Sequence, residues 1–347
     1  MAASRKPAKP AWALDPHLTA ALQKAVQALP DAAPLGVALS GGADSAMLAV
    51  HAAQVAAVSG RALHCFHIHH GLQPAADEWL AQAHRLAGIL EVACHSRRIQ
   101  VSVQGTGMEA AAREARYVGL AALAQAVGVN ILFLAHHQDD QAETVLLRLL
   151  RGAGPEALAA MSAQIHHHGI LWCRPWLSQP RSRILQAAGQ FAAITGWHPV
   201  QDPSNHDTQY KRAALRHDLA PVLDKHWPAW RTSLARHAGQ AADLGLWMAS
   251  TASDDWQGLD PSADGRSFSL LAWRQLPAVR QAALVRYWLQ CQGLRMPTEA
   301  RLADWLRQFR QVHALGHDRL VSLPHEGYLV QVRRGRVVLS ETSAKPS

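Results

Sequence analysis

The chain has no Cys-x-x-Cys pair. Its four cysteines, Cys65, Cys94, Cys173 and Cys291, are scattered through 347 residues. That leaves a zinc ribbon, an iron–sulfur cluster or a thioredoxin-type redox site without sequence support, and it suits a reducing compartment. No segment approaches the roughly 20 apolar residues that span a bilayer. The basic start, "MAASRKPAKPAW", lacks the apolar stretch of a secretory signal. The expectation is a cytoplasmic protein, off the membrane, with a frayed basic tail. Charged residues are few, at 17%, but the balance is positive: the net charge is +8 and the pI about 9.7. Such a balance suggests a polyanionic partner, nucleic acid first, with plain solubility as the alternative. The 49% hydrophobic content supports a sizeable core, and the length suggests two domains. No internal repeat is present.

Short apolar runs alternate with helical patterns over the first two-thirds. "LGVAL" (35–39) precedes a helix over about 44–58, "ALHCFHI" (62–68) one over 75–90, "VACHSRRIQV" (92–101) one over 107–128, and "ILFLA" (131–135) one over 138–152. This alternation predicts an α/β fold, a parallel doubly wound sheet whose buried strands read as continuous apolar runs. Residues 162–176 read as a loop and an edge strand, 182–195 as a helix and 196–212 as a long loop. From 229 a long helix suggests a link to a second, mainly helical domain with helices at 277–291 and 298–311. Three short strands end it, with turns at Pro324–Gly327 and Arg334–Gly335. The predicted organisation is a tail and first helix (1–30), a catalytic domain (31–228) and a C-terminal RNA-binding domain (229–347). Eight of the 12 tryptophans lie between 172 and 273, a distribution that suits packing.

The turn "SGGADS", residues 40–45, also lacks something. Gly36 and Gly41 have Walker A spacing, but Gly42 stands where that motif has lysine. The loop can still receive an anion. Gly41 and Gly42 let backbone N–H groups converge without a Cβ in the way, Ser40 and Ser45 add hydroxyls, and a helix N-terminus follows. Asp44 repels a bare phosphate and makes sense if Mg²⁺ lies between them. Two rivals remain: a turn capped by Asp44 or Ser45, and a hydrolase elbow in "ALSGG" with Ala38 at its first glycine position.

Flanking segments add chemistry at other strand ends. "HIHHGLQPAADEW" (67–79) puts three histidines before a glycine turn. "MEAAAREARY" (108–117) sets Arg113 and Arg116 on one helix face, aimed at the crevice or paired with Glu109 and solvent. "AHHQDDQAET" (135–144) crowds His136, His137, Asp139, Asp140 and Glu143 onto a helix N-terminus. The macrodipole favours the acids by about 0.3–1 kcal/mol each, and the Asp139–Glu143 repulsion of about 0.2–0.5 kcal/mol opposes it. Stability alone therefore does not explain the cluster.

SGGADS matches the SGGxDS signature of the PP-loop ATP pyrophosphatases, which cleave ATP between the α- and β-phosphates to adenylate a substrate. The full set of motifs resembles the tRNA(Ile)-lysidine synthase family. It comprises Ser40–Ser45, His67–Gln73, Glu109–Tyr117, Ala135–Gly154, Arg174–Leu177, and Asp202–Asn205 with Arg212–Arg216. The resemblance runs from about 35 to 230 and more loosely to about 340. Departures are Ala213 for the family's asparagine, Gln73 for a frequent arginine and Ala157 for a glycine. The early end after one C-terminal domain suggests a short form.

The resemblance implies ATP held by Ser40, Gly41, Gly42, Ala43, Asp44 and Ser45, with Mg²⁺ on Asp44 and Asp140. The wobble cytidine of a tRNA(Ile) with a CAU anticodon would be adenylated at C2 and then attacked by free L-lysine. Asp140 and His136 are the expected partners of the lysine amine, and Arg116, Arg212 and Arg216 the expected contacts to phosphate or transition state. Lys211, Arg212, Arg216, Arg231 and Arg236, with Arg333, Arg334 and Arg336, are the basic residues expected on RNA as a group, although each alone reads first as a solvated surface charge. A homodimer is compatible with the sequence. The rivals are another PP-loop enzyme, such as a thiolase using Cys94 and Cys173 or an ammonia-dependent synthetase, and a non-catalytic RNA-binding protein.

Overall fold

The structure, a computed structural model, describes residues 12–30, 32–69, 71, 75–99, 108–201, 209–312 and 321–342. The tail, His70, Leu72–Pro74 and the Asp202–Asn205 element fall outside them, as do the side chains of 108–110. Contacts divide the chain into two compact units, Met1–Ala242 and Asp243–Ser347. The boundary falls inside a helix, Trp230–Gln257.

Unit 1 is built on β1 (Leu35–Ala38), β2 (Leu63–His69), β3 (Ala93–Arg98), β4 (Ile131–Phe133), β5 (Gln164–His167) and β6 (Ile170–Cys173). Their order across the sheet is β3-β2-β1-β4-β6-β5, all parallel except β5. The chain winds outward from β1 to β3, then crosses back to β4 on the other side of β1. Helices α1 (Pro16–Gln27), α2 (Ala43–Ser59), α3 (Ala76–Ile89), α4 (Met108–Ala126), α5 (Gln138–Leu149) and α6 (Arg181–Thr195) surround the sheet. A sheet wound in this way opens a crevice where the winding reverses, at the carboxyl ends of β1 and β4. The 40–45 turn leaves one of those ends and residues 136–140 leave the other.

Alternation along each strand makes two cores. Val37, Cys65, Phe133 and Cys173 pack with α1, α2 and α6. Phe66, Ile68, Leu132 and Trp172 pack with Leu120, Ala121 and Ala124 of α4. Gly36 faces the second set: a Cβ there would lie 2.4 Å from Leu132 Cδ2 and 2.8 Å from Phe66 Cε2. Its Walker-like spacing from Gly41 thus reflects close packing in β1, not a phosphate loop. Residues 162–176 differ from the expected loop and edge strand. They form a hairpin in which β5 takes the edge and β6 is inside the sheet. The two-residue turn His168-Gly169 has φ of 51° and 72°, the positive pair that matches strand twist.

A second helical layer follows. α7 (Lys211–Ala214) runs through a π turn at Leu215–Leu219 into α8 (Ala220–His226). Leu215, Ala220 and Trp230 pack on Ala142 of α5. In unit 2, α9 (Trp230–Gln257) ends and β7 (Ser267–Ser269) joins β8 (Val321–His325), β9 (Tyr328–Arg333) and β10 (Arg336–Glu341) in the order β7-β10-β9-β8. β7 was not expected; three residues make too short a run to stand out. Helices Leu270–Gln275 (α10), Ala278–Cys291 (α11) and Glu299–Gln311 (α12) bury Trp273, Trp288, Trp305 and Phe309 with Phe268 of β7. No helix among the described residues is long and apolar enough to cross a membrane.

Gly36→Ala should therefore lower stability by about 1–3 kcal/mol through overpacking at the β1–β4 contact, read as a fall in the denaturation midpoint at unchanged slope.

Candidate active site

The loop after β1 is tied to itself. The Ser40 and Ser45 hydroxyls lie 2.9 Å apart, Ser45 Oγ accepts from the Ser40 N–H at 3.1 Å, and it donates to the Gly42 carbonyl at 3.1 Å. Gly41 has φ of 92° and its carbonyl accepts from the Val200 N–H at 3.0 Å. The N-cap of α2 is Gly42, with no side-chain cap. Neither Asp44 nor Ser45 plays that part, so the first-turn N–H groups stay open for an anion.

Across the crevice, His137 caps α5. Its Nδ1 accepts from the Asp140 N–H at 3.4 Å while Asp140 Oδ2 accepts from the His137 N–H at 3.3 Å. His137 Nε2 lies 3.3 Å from Asp140 Oδ2 and 3.7 Å from Asp44 Oδ1. Burial pulls the His137 pKa down, but Asp44, Asp140 and Asp139 outweigh it and leave it above the ordinary value. Burial alone would raise the pKa of Asp44; His137 and Arg181 hold it below the usual carboxylate range. Asp140 is likewise held low, against its burial, by His137, His136, Arg212 and Arg216.

Arginines from later in the chain complete the cluster. Arg181 meets both Asp44 oxygens at 3.3 Å, and its backbone N–H, at the start of α6, donates to Asp139 Oδ1 at 3.0 Å. Arg216 grips buried Glu143 at 2.6 and 2.8 Å and reaches Asp140 at 3.2 Å. Arg212 Nε lies 3.3 Å from Glu143 and its Nη2 donates to Thr144 Oγ1 at 3.0 Å. Arg231 holds Asp139 at 2.9 Å, pairs with Asp224 and lies over the Trp230 ring at 4.4 Å.

His136 belongs to a separate arrangement. Arg174, itself buried, donates from Nε to His136 Nδ1 at 3.3 Å and from Nη1 to the Ser162 carbonyl at 2.8 Å. The proton of neutral His136 therefore sits on Nε2. Burial, with the cations of Arg174, Arg113 and Arg212, drives its pKa down to about 3 despite Asp140. A ring with its free lone pair occupied and so low a pKa donates a hydrogen bond at neutral pH; it does not accept a proton.

Ser40, Asp44, Ser45, Arg116, His136 and Asp140, all expected from sequence, line one open crevice of about 830 Å³, mouth included. Ala38, Phe66, Ile68, Tyr117, Leu120 and Leu134 give it an apolar wall. Arg116 has no carboxylate partner among the described residues, and Arg113 donates to Tyr117 Oη at 3.1 Å. The groups expected on RNA divide. Lys211 and Arg236 are exposed, whereas Arg212, Arg216 and Arg231 are held by carboxylates. Arg333 and Arg334 are exposed, and Arg336 pairs with Asp260 at 2.6 Å. The HIHH run is structural where described: His67 Nδ1 donates to the Leu39 carbonyl at 2.8 Å, and His69 Nε2 meets Asp77 at 3.2 Å. A Cys94–Cys173 pair is excluded, since their strands β3 and β6 lie four positions apart, about 19 Å. Burial also pushes both thiols up to about 11. Arg181 escaped sequence reading, and Arg174, which falls in the Arg174–Leu177 motif, was given no role there. Each meets its partner across 137 and 38 residues, and only "RPW" beside Arg174 gave a signal.

A doubly wound sheet with an uncapped SGGxDS turn at its crossing point defines a PP-loop nucleotide-binding domain. The PP-loop domain family matches residues 14–223, and a TilS substrate-binding domain matches 268–338. The chain is 51% identical over 344 residues to the tRNA(Ile)-lysidine synthase of Bordetella bronchiseptica, covering 97% of this chain and 100% of that protein. It is 40% identical over 323 residues to that of Burkholderia mallei, covering 91% of this chain and 63% of the other. The chain belongs to the tRNA(Ile)-lysidine synthase family. Its fold is also similar to that of the U34-tRNA thiolase NcsA from Methanococcus maripaludis, with a TM-score of 0.54 at 15% identity over 65% of this chain and 78% of that one.

His136 predicts a pH dependence. Its folded pKa, about 3, lies below the ordinary 6.5, so the unfolded chain binds more protons between these values. Stability from this group is complete above about pH 6.5 and falls as the pH drops below that value. His136→Gln, whose amide oxygen can still accept from Arg174, should unfold less readily than the parent at pH 5 relative to pH 7. Equal pH slopes in denaturant titrations would contradict this.

Proposed function

We propose that this chain makes lysidine, joining free L-lysine to C2 of the wobble cytidine of an isoleucine tRNA at the expense of ATP. The carrying observation is that Ser40, Asp44, Ser45, Arg116, His136 and Asp140 share one crevice, in a chain of this family. ATP sets its phosphates on the uncapped α2 N-terminus, where Gly41 and Gly42 admit them closely. Asp44 and Asp140 offer hard carboxylate oxygens to the same space, the donors that Mg²⁺ takes, and they would hold it. Mg²⁺, when bound, neutralises phosphate charge.

The cytidine C2 oxygen attacks the α-phosphate and pyrophosphate leaves. Arg116, without an acidic partner among the described residues, is the cation available to the developing phosphate charge. His136 contributes its Nε2–H to an anionic oxygen. The lysine ε-amine then attacks C2, the C2–O bond breaks, and AMP departs with that oxygen. Asp140, kept ionised by its neighbours, pairs with the lysine ammonium and orients it; the ammonium gives up a proton to solvent before the neutral amine attacks, and the second proton leaves with the C–N bond formed. His136 was the other expected partner of the amine, but Arg174 occupies its basic nitrogen. The apolar wall around Phe66, Ile68 and Leu134 suits a base ring. Arg212 and Arg216 act through Asp140 and Glu143, as positioning residues. Lys211, exposed at the start of α7, is one of the expected RNA contacts left open.

The test is pyrophosphate release from ATP, with mass analysis of the tRNA. Release should require tRNA(Ile), should continue beyond one turnover only when lysine is present, and should then add lysine to the tRNA. Continued release with ammonia or a sulfur donor and without lysine would overturn the reading. Asp44→Asn and Asp140→Asn should each lower kcat by about 10²–10³-fold, and Arg116→Ala should lower kcat/KM by about 10–10²-fold while the fold remains intact.

A further inference from the structure

Away from the crevice, the turn between β5 and β6 meets α4. His168 Nε2 lies 2.9 Å and His167 Nε2 3.8 Å from the same oxygen, Glu114 Oε1. The two imidazole rings are 3.8 Å apart between centroids, and one ligand atom from each of the three residues falls within 4.8 Å of the others. We propose that Glu114, His167 and His168 form a binding site for a divalent transition-metal ion of the Zn²⁺ type.

The donor set selects the ion. Two imidazole nitrogens and one carboxylate oxygen suit Zn²⁺, Ni²⁺ or Cu²⁺, whereas Mg²⁺ prefers all-oxygen surroundings. Tetrahedral Zn²⁺ with bonds of about 2.0–2.1 Å needs its ligand atoms about 3.3 Å apart. The distances of 2.9 and 3.8 Å bracket that value, so small side-chain rotations close the site. Exposure leaves the fourth position to water.

The backbone under the two histidines is braced. The His168 carbonyl accepts from Gln125 Nε2 of α4 at 2.8 Å, and the His167 carbonyl from Trp172 Nε1 at 2.9 Å. His168 and Gly169 occupy positive φ, and a Cβ at Gly169 would lie 2.8 Å from Gln125 Nε2. This turn geometry brings adjacent residues, which would point to opposite faces of a strand, onto one carboxylate. Tyr117 approaches the His167 ring edge-on at 6.3 Å. A metal ion would satisfy both imidazole nitrogens and the carboxylate oxygen at once. Bound there, the ion joins the β5–β6 hairpin to the helix that carries Arg116.

The test is calorimetric titration of the full chain with Zn²⁺ in excess Mg²⁺, supported by the visible absorption of Co²⁺. One saturable Zn²⁺ site is expected. Glu114→Gln, His167→Ala and His168→Ala should each weaken it at least about tenfold, while His84→Ala, on α3, leaves it unchanged. Absence of saturable binding overturns the proposal. So does binding that survives the Glu114→Gln/His168→Ala double variant, or binding lost in Asp140→Asn but kept in His168→Ala.

Discussion

Four carboxylates, Asp44 in the first turn of α2 and Asp139, Asp140 and Glu143 in the first two turns of α5, are gathered together, and the structure depends on their being neutralised. Removing one partner from a buried ion pair costs several kcal/mol because the other charge stays uncompensated. Arg181, Arg212, Arg216 and Arg231 provide the counter-charges, each arriving from sequence that follows the sheet. The packing of α7, α8 and α9 on α5 therefore does two things at once. It buries Leu215, Ala220 and Trp230 against Ala142, and it delivers Arg212, Arg216 and Arg231, which with Arg181 of α6 allow an acidic cluster to persist beside the phosphate loop.

The cluster also sorts two adjacent histidines. His137 faces acids on several sides and is pushed toward the charged form, while His136 faces Arg174 and is kept neutral. Neighbouring residues of the same type thus acquire opposite electrostatic characters from the elements that pack against them. Protonation of His137 would exchange its 3.4 Å cap on Asp140 for a contact with Asp139 Oδ1, 3.9 Å away. The start of α5 is accordingly the place where charge in the crevice and helix geometry are coupled.

Much of unit 1 was legible because its signals are local. The apolar runs at 35–39, 62–68 and 131–135 became central strands, and SGGADS and AHHQDD emerged at the crossing point that their strand ends predict. The hairpin at 164–173 was less legible because "QIHHHGILWC" has too little alternation to announce an antiparallel edge. The three-residue β7 gave no periodicity at all. Gly36 misled by spacing: its role is steric and is visible only once Leu132 and Phe66 are beside it. The histidines of the HIHH run read as chemistry, yet His67 bonds the Leu39 carbonyl.

The sequence by itself determined the α/β architecture, the nucleotide loop and the family, because strand length, glycine placement and acidic clustering are written over a few residues each. Only the tertiary structure decided which arginine meets which acid, which nitrogen of His136 holds the proton, and why Arg231 rests on Asp139 and Asp224. Those outcomes depend on contacts between residues up to 137 positions apart. Coulomb energy in a buried site depends on separations of a few ångströms, and no local pattern encodes such distances.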